Sequence, residues 1–338
     1  MSLLSVQSHL PDRFLSARAD EMLDLLGQPT LFHLSGHRTE PLFVSILLHG
    51  NEDVGLLAVQ ELLRSHALRE LPRALSLFVG NVSAARAGVR RLDEQPDYNR
   101  IWPSSETDGT IEHAMMRAIV DDMHERRVFA SVDLHNNTGK NPHYCCVNRI
   151  DHSTLQMASL FSRTVVYFLR PKGVQSMAFA TLCPSVTCEC GKVGDASGVA
   201  HAAEFLQTCL HLSEIPSHPV ASGDIHLFHT LATVTVPQEI TFSFTDADAE
   251  LTLSPELESL NFCELSPGTR IGHRQMESLR NLMVRDEQGR DVTDEFLVVD
   301  PENVIRLRCP AVPAMLTLNE RVIRQDCLGY FMERLSVI

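Results

Sequence analysis

The first two thirds of the chain alternate between short apolar runs and amphipathic stretches. After an N-terminal helical stretch and a turn at 27–30, residues 42–48 are almost entirely apolar and end at the polar sequence HGNE, a pattern typical of a buried strand. From Asp53 the apolar positions recur at helical spacing up to about residue 69, which predicts a helix. The alternation then continues and indicates βαβ units with a mostly parallel sheet. The further strands are predicted at 74–79, 128–134, 144–147 and 185–191, and the further helices at 110–125, 153–163 and 197–212.

The pattern changes after residue 215. Residues 215–224 are rich in proline and have the composition of a linker. Short apolar stretches then alternate with turn sequences, which predicts a β-rich region. These stretches lie at 232–236, 296–299 and 304–307. The sequence thus predicts an α/β domain over 1–215, with a mixed, mostly parallel sheet flanked by helices, and a small β-rich domain over 224–338.

Composition narrows the function classes. Of the 338 residues, 44% are hydrophobic and 21% are charged, as in packed globular proteins. The net charge of -14 disfavours a nucleic-acid or anionic-membrane partner. The start of the chain has no secretory signal pattern, and no apolar run approaches the length of a membrane span. Nine cysteines without a CxxC pair favour a reducing cytoplasm. The sequence leaves open whether the chain forms a homo-oligomer.

A histidine and a glutamate three positions apart follow the first predicted strand. A catalytic zinc site needs about three imidazole or carboxylate ligands and an open position for water. HxxE occurs four times in the chain, whereas chance gives about one. The pairs are His37/Glu40, His49/Glu52, His201/Glu204 and His211/Glu214. Only His49/Glu52 leaves a buried strand, because the first pair lies in a predicted turn and the last two in a predicted helix, where such pairs are common on solvated faces.

A second predicted strand ends in the sequence DLHN, which places His135 at its end. Neighbouring parallel strands end at the same edge of a sheet, so His49, Glu52 and His135 can converge on one metal ion. Asp133 is a candidate partner that orients an imidazole, and a backbone partner for its carboxylate is an equal alternative.

Glu189 is an unusual residue in the otherwise apolar strand 185–191. A carboxylate beside the metal can accept the proton of the attacking water and return it to the leaving group, so Glu189 is the candidate general base and acid. Because side chains alternate along a strand, Cys188 and Cys190 point to the opposite face and are expected to be small buried hydrophobic residues. Cys145 and Cys146 are likewise expected to be small buried hydrophobic residues.

Four arginines fall in the polar connection before the helix 110–125. They are Arg86, Arg90, Arg91 and Arg100. Together they predict a local cationic surface in an acidic protein, and a guanidinium suits a carboxylate because it can donate two parallel hydrogen bonds. The alternative is a solvated arginine-rich loop.

These motifs together resemble the succinylglutamate desuccinylase/aspartoacylase branch of the zinc carboxypeptidase family. The matching segments, in the order of that family, are HGNE at 49–52, the stretch from Asn81 through Arg90-Arg91 to DYNR at 97–100, DLHN at 133–136 and the strand with Glu189. The resemblance spans about 40–210. The chain departs from the family after Glu189, where Gly-Lys-Val-Gly-Asp replaces the usual Gly and Pro.

The resemblance implies a carboxypeptidase-like fold and a role for each matching residue. One zinc ion per chain would be held by His49, Glu52 and His135, with Glu189 as general base and then acid. Arg90 would polarise the scissile carbonyl, and Arg91 is the alternative for this role. The residues expected to contact the substrate are Asn99, Arg100 and Asn136.

The sequence therefore predicts a zinc-dependent hydrolase that cleaves an amide, or an ester, in a small N-acyl amino acid or peptide-like molecule bearing a carboxylate. Desuccinylase, aspartoacylase and carboxypeptidase activities are not separated by these motifs. The alternatives are a non-catalytic zinc- or ligand-binding protein that kept the fold and a hydrolase with a cysteine nucleophile.

Overall fold

The structure is a computed structural model that describes residues 3–246, 248–275 and 281–336. Its helices are α1 (Met22–Leu26), α2 (Val54–Ser65), α3 (Val82–Ala87), α4 (Ile111–Glu125), α5 (His152–Phe161), α6 (Gln175–Phe179), α7 (Ala196–His211), α8 (Thr293–Phe296) and α9 (Glu320–Gln325). Short 3-10 helices lie at Ala19–Glu21 and Leu257–Leu260. The strands in the first two thirds are β1 (Ser5–Gln7), β2 (Thr30–Leu34), β3 (Gly36–Ile46), β4 (Leu71–Val79), β5 (Ala130–Asn137), β6 (Tyr144–Val147), β7 (Thr164–Tyr167) and β8 (Ser185–Lys192). The remaining strands are β9 (His226–Thr235), β10 (Phe242–Ser243), β11 (Leu251–Leu253), β12 (Arg270–Arg274), β13 (Met283–Asp286), β14 (Leu297–Val299), β15 (Val304–Leu307), β16 (Val312–Ala314) and β17 (Gly329–Leu335).

A 12-stranded sheet forms the centre of the fold, in the order β1-β2-β4-β3-β5-β8-β6-β7-β9-β17-β16, with β13 paired to β9. Strands β4, β3, β5 and β8 are parallel, and β6 runs antiparallel to β8. Val44 and Ile46 of β3 pack into a core with α2 and α7, while Phe43 packs on the opposite face against Met116 of α4. The predicted α/β fold, with helices on both faces of a mostly parallel sheet, is confirmed.

The C-terminal third contributes to two sheets. Strands β10, β11, β12, β15 and β14 form a separate five-stranded sheet, which confirms the β-rich character predicted there. Strands β9, β13, β16 and β17 instead extend the larger sheet. The two largest clusters of buried apolar side chains lie one on each side of about residue 230, while a smaller cluster joins Tyr144 and Val166 to Val312 and Met332. The domain boundary at 215–224 stays a prediction.

Several predicted limits were wrong for identifiable reasons. The N-terminal stretch is not wholly helical, because β1 and β2 form one edge of the sheet. Strand β3 begins at Gly36, so His37/Glu40 lies in a strand rather than in a turn; pairing with β4 extends the strand although its side chains there are polar and mostly exposed. Strand β5 continues through Asn137, because its pairing with β8 runs on past the last pair with β3, at Asp133. No helix among the described residues is both long and apolar enough to cross a bilayer.

Candidate metal centre and active site

Three neighbouring parallel strands deliver four of the predicted site residues to one place. His49 and Glu52 follow β3, His135 lies in β5 and Glu189 lies in β8. Strand β5 pairs with both others, and His135 is the register partner of Glu189. Each of the four residues is at most 9% exposed. The topology therefore brings together residues that are far apart in the sequence.

The HGNE turn is fixed against the backbone of α3. The N–H of Asn81 donates to the carbonyl of Leu47 at 2.7 Å, and the N–H of Gly50 donates to the carbonyl of Arg90 at 3.1 Å. A Cβ at position 50 would lie 2.1 Å from the carbonyl carbon of Ala84, so the close approach of the two segments requires glycine. The turn therefore connects the predicted ligands to the segment that carries Arg90.

His49, Glu52 and His135 form one compact cluster. The ligand atoms that they offer all lie within 4.8 Å of one another. Nδ1 of His49 lies 2.9 Å from Oε1 of Glu52, and Nδ1 of His135 lies 2.7 Å from Oε2 of Glu52. Two imidazoles and one carboxylate form a common donor set of catalytic zinc sites. This buried group could hold a metal ion.

Two further carboxylates hold the outer nitrogens of the imidazoles. Oδ1 of Asp97 lies 3.1 Å from Nε2 of His49, and Oδ2 of Asp133 lies 2.7 Å from Nε2 of His135. The other oxygen of Asp133 accepts a hydrogen bond from Oγ of Ser45 at 2.7 Å. A carboxylate at Nε2 favours the tautomer that carries its proton there, and this tautomer turns the lone pair of Nδ1 toward the cluster.

The donor set demands a positive charge. With both Nε2 atoms donating outward, each Nδ1 lone pair faces an oxygen of Glu52, at 2.9 and 2.7 Å, and this contact is repulsive unless a proton or a cation lies between the two atoms. Burial alone lowers the pKa of His135, but Asp133 and Glu52 outweigh it and raise this pKa well above its usual value. Burial alone raises the pKa of Glu52, but both imidazoles outweigh it and lower this pKa. A divalent metal ion fits these residues.

Replacing Asp133 by Asn is expected to weaken metal binding by ~10–100-fold, the usual effect of losing a carboxylate that orients a ligand. An amide N–H facing Nε2 of His135 would favour the other tautomer and place a proton on Nδ1. Competition with a chromogenic chelator measures the affinity. Asp121→Asn, on the exposed face of α4, is the matched control. Equal affinities of the two variants would rule out an orienting role for Asp133.

Glu189 lies beside the cluster with an unsatisfied oxygen. Its Oε2 is buried and has no hydrogen-bond partner among the described residues. Burial raises the pKa of Glu189 to about 7. A buried carboxyl with a raised pKa and an unpaired oxygen is suited to accept and return a proton. Because a bound cation favours the ionised form, this pKa falls when the cluster holds a metal.

Arg90 and Arg100 face the same cavity and share an acidic partner. Arg90 Nη2 lies 3.0 Å from Asp97 Oδ2 and 3.2 Å from Asp326 Oδ2. Arg100 Nη2 lies 2.9 Å from Asp326 Oδ1. Arg90 Nη1 also reaches to 3.8 Å from Oε1 of Glu52, at the edge of the metal cluster. The two arginines, one from the start and one from the middle of the connection between α3 and α4, therefore meet at Asp326, and Arg90 also reaches the metal cluster.

The other two arginines lie elsewhere, so the predicted four-arginine surface was wrong. Arg91 donates to the backbone carbonyls of Leu92, Asp93 and Gln95. Arg86 pairs with Asp24 of α1. Arg91 thus stabilises its own loop and Arg86 joins α3 to α1, and of Arg90 and Arg91 only Arg90 lines the cavity.

The two predicted amide residues both line the cavity but are partly engaged by the protein. Nδ2 of Asn99 lies 3.2 Å from Nε2 of His135, and its Oδ1 accepts from the N–H of Gln175. The side chain of Asn136 accepts from the N–H of Val54 and donates to the carbonyl of Gly191, joining the start of α2 to β8. These contacts hold the site together, and the predicted roles of both residues in substrate binding stay predictions.

The sequence motifs predicted only part of the lining of the cavity. Its further lining residues include Tyr144, Cys146, Phe168, Met315, Asp326 and Tyr330. Cys145, Cys188 and Cys190 lie in the core, as predicted, but Cys146 faces the cavity together with Glu189, because it pairs with Thr187 on the same sheet face. Asp326 and Tyr330 lie beyond the motif region and carry no local sequence signal.

The other HxxE pairs do not reach the site. His37 contacts Glu70 at the surface. His201 lies in α7, where its Nε2 contacts the carbonyl of Phe161, and the last pair, His211/Glu214, is exposed at the end of that helix. The choice of His49/Glu52 from its position after a buried strand is thus consistent with the observed geometry.

This fold and cluster define an α/β protein with a buried His-Glu-His group that could bind a metal. The family described as "Succinylglutamate desuccinylase/Aspartoacylase catalytic domain" matches residues 40–215, which is more than half of the 338-residue chain. The chain belongs to this family, and the resemblance recognised from its motifs is confirmed. No curated protein sequence matches the chain.

Solved structures share the fold at low sequence identity. The succinylglutamate desuccinylase of Chromobacterium violaceum superposes with a TM-score of 0.55 at 16% identity, over 89% of this chain and 87% of that one. A succinylglutamate desuccinylase/aspartoacylase of Rhodobacter sphaeroides gives a TM-score of 0.58 at 16% identity, over 90% and 88%. Murine aminoacylase 3 gives a TM-score of 0.56 at 16% identity, over 89% and 97%. The similarity therefore extends beyond the motif region into the C-terminal third.

Proposed function

We propose that this chain is a zinc-dependent hydrolase that cleaves the amide bond of a small N-acyl amino acid or peptide-like molecule bearing a carboxylate. An ester bond would be cleaved by the same groups. The observation that carries the proposal is the unpartnered, buried carboxyl of Glu189 beside the His49, Glu52 and His135 cluster. Membership of the desuccinylase/aspartoacylase family supports the reaction class.

A zinc ion held by His49, Glu52 and His135 would supply Lewis acidity, which polarises the scissile carbonyl and lowers the pKa of water. Glu189 removes a proton from the attacking water as the oxygen adds to the carbonyl carbon. The same carboxyl then returns the proton to the leaving nitrogen as the C–N bond breaks. The second proton of the water stays on the new carboxyl group, so the products are a carboxylic acid and an amine, which near neutral pH are a carboxylate and an ammonium ion.

The cationic side chains divide into two roles. Arg90 lies at the edge of the metal cluster and is placed to stabilise the negative charge that develops on the carbonyl oxygen. Arg100, with Asn99 beside it, lies farther along the cavity wall and anchors the carboxylate of the substrate. Anchoring the substrate at one end aligns the scissile bond with Glu189.

Two alternatives are less well supported. A protein that only binds zinc or a ligand gains nothing from an unpaired buried carboxyl at the position of Glu189. A cysteine nucleophile would have to be Cys146, whose pKa is raised well above its usual value by burial and by Glu189, so that its thiol stays protonated.

The proposal is tested with the full chain loaded with zinc. We expect release of a free amine from N-acetyl amino acids, with zinc present at one ion per chain by elemental analysis. Peptides are assayed in parallel, and faster cleavage of a peptide's C-terminal residue would identify a metallocarboxypeptidase instead. Stoichiometric zinc without turnover of any amide, ester or peptide would favour the purely binding protein.

A further inference from the structure

Asp326 occupies an unusual position in the cavity. It follows α9 in the C-terminal third, yet its carboxylate bridges Arg90 and Arg100, at 3.2 and 2.9 Å. Burial alone raises the pKa of Asp326, but Arg100 and Arg90 outweigh it and lower this pKa, so the carboxylate stays ionised. Asp97 pairs with Arg90 from the other side. Two carboxylates thus match the charges of the two guanidinium groups.

The remaining cation of the cavity is paired as well. Arg170 Nη2 lies 2.8 Å from Oε1 of Glu106. Among the described residues that line the cavity, no lysine occurs and each of the arginines has an acidic partner. A guanidinium has five N–H donors, so Arg100 can hold Asp326 and one carboxylate of a substrate together. The first carboxylate of a substrate thus uses the free donors of Arg100, and a second carboxylate nearby would add to the negative charge of Asp326 and of the first.

Beyond Glu189, the cavity wall is largely apolar. Tyr144 is the register partner of Glu189, and Cys146 is the register partner of Val166, so these side chains share one face of the sheet. The residues that continue this wall are Phe168, Val174, Ala314, Met315 and Tyr330. The lining also contains Thr187, Thr230 and the ion-paired Arg170. An apolar group is favoured against the apolar part of the wall, whereas a carboxylate placed there loses hydration.

We infer that Asp326 makes this site selective for N-acyl amino acids that carry one carboxylate and are otherwise uncharged and apolar. The inference rests on the proposed hydrolase function and names its substrate class. Arg100 holds the single carboxylate, the apolar wall takes the rest of the molecule, and Asp326 repels a second negative charge. Asp326 is then a specificity-determining residue supplied by the C-terminal third of the chain.

Steady-state kinetics of the zinc-loaded wild-type chain provide the first test. N-acetyl-L-leucine and N-acetyl-L-phenylalanine are compared with N-acetyl-L-aspartate and N-succinyl-L-glutamate. We expect kcat/KM at least ~10-fold higher for the first two substrates, because one unmatched charge in a partly buried site costs more than that factor. Equal or faster turnover of the acidic substrates overturns the selectivity but leaves the hydrolase standing. No turnover of any substrate overturns both proposals.

A substitution then tests Asp326 itself. Asp326→Asn keeps the shape and removes the charge, so the ratio of kcat/KM between the leucine and aspartate substrates should move at least ~10-fold toward aspartate. Asp326→Glu keeps the negative charge and should therefore show the same substrate preference as the wild type. Glu320→Gln, an exposed residue of α9, is the matched control and should leave the ratio unchanged. A folded, zinc-loaded Asp326→Asn protein with an unchanged ratio overturns the role of Asp326.

A binding measurement on the wild-type chain covers the case in which Asp326→Asn does not fold. Competitive inhibition by 4-methylpentanoate is compared with inhibition by succinate, which has a second carboxylate. We expect the inhibition constant of succinate to be at least ~10-fold higher. Tighter inhibition by succinate would overturn the inference without the use of a variant.

Discussion

Replacing Glu189 by Gln is expected to lower kcat by ~10²–10⁴-fold, the usual contribution of a positioned general acid and base, while zinc stays bound. Glutamine has nearly the same shape but cannot accept the proton of the attacking water. The metal cluster consists of other side chains, His49, Glu52 and His135, and should keep its affinity. Steady-state assays and zinc content by elemental analysis check both halves of this prediction.

The control for this substitution is Glu61→Gln on the exposed side of α2, which should keep full activity. If Glu189→Gln retained wild-type turnover, the proposed mechanism would be wrong. If it lost both zinc and activity, Glu189 would instead belong to the ligand set.

The stability of the same variant separates catalysis from folding. In the metal-free protein, burial raises the pKa of Glu189 from 4.5 to about 7, so the unfolded chain ionises at lower pH than the folded chain. The contribution of this group to stability is complete below pH 4.5 and is lost as the pH rises through about 7. Glu189→Gln should therefore melt at least as high as the wild type at pH 8, with a flatter dependence of Tm on pH. A lower Tm at every pH would point to a structural cause of the lost activity.

The hydrophobic pattern predicted the buried centre of the fold well. Strand β6 was predicted at its observed limits, and α4 was placed to within one residue, because an apolar run or an amphipathic period is visible in the sequence. The first half of β3 was missed, since residues 36–41 are mostly polar and become a strand only through pairing with β4. Strand limits that depend on a partner cannot be found from local hydrophobicity.

The predicted ligands came from a different kind of signal. His49, Glu52, His135 and Glu189 each stand at the end of an apolar run, and parallel strands end at a common edge, so their convergence followed from topology. Asp326 gave no such signal. It follows a short helix far along the chain, and only the joining of β9 and β17 to the larger sheet brings the C-terminal third to the cavity.

The arginines show the limit of charge patterns. Arg86 and Arg90 are four residues apart, yet Arg86, in α3, contacts Asp24, and Arg90, after the helix, contacts Asp97 and Asp326. The turn after α3, at Gly88 with a φ of 63°, separates their directions. A run of like charges therefore predicted cationic residues near the site but not which of them face it.

Removing the metal is expected to abolish turnover and to lower the melting temperature. Without a cation, Glu52 faces two imidazoles whose outer nitrogens are already bound to Asp97 and Asp133. A metal that binds only the folded chain contributes about 2.7 kcal/mol of stability when its free concentration is 100-fold above Kd. Dialysis against a chelator, followed by activity assays and thermal melts, measures both effects. Adding zinc back should restore both activity and Tm.

His135→Ala tests the metal site more directly, because it removes one of the three proposed ligands. This variant should bind zinc much more weakly, show little activity and gain little thermal stability from added zinc. The matched control is His124→Ala, at an exposed position of α4, which should behave as the wild type does. Substitution of a buried histidine also leaves Asp133 and Glu52 without a shared partner, so some loss of Tm is expected in both the metal-free and the zinc-loaded state. The diagnostic quantity is therefore the difference in Tm between these two states, which should be several degrees in the wild type and close to zero in His135→Ala. If the chelated protein kept full activity, the reaction would not depend on the metal. The proposed mechanism would then be wrong, because it needs both the metal and Glu189 to activate water for amide cleavage.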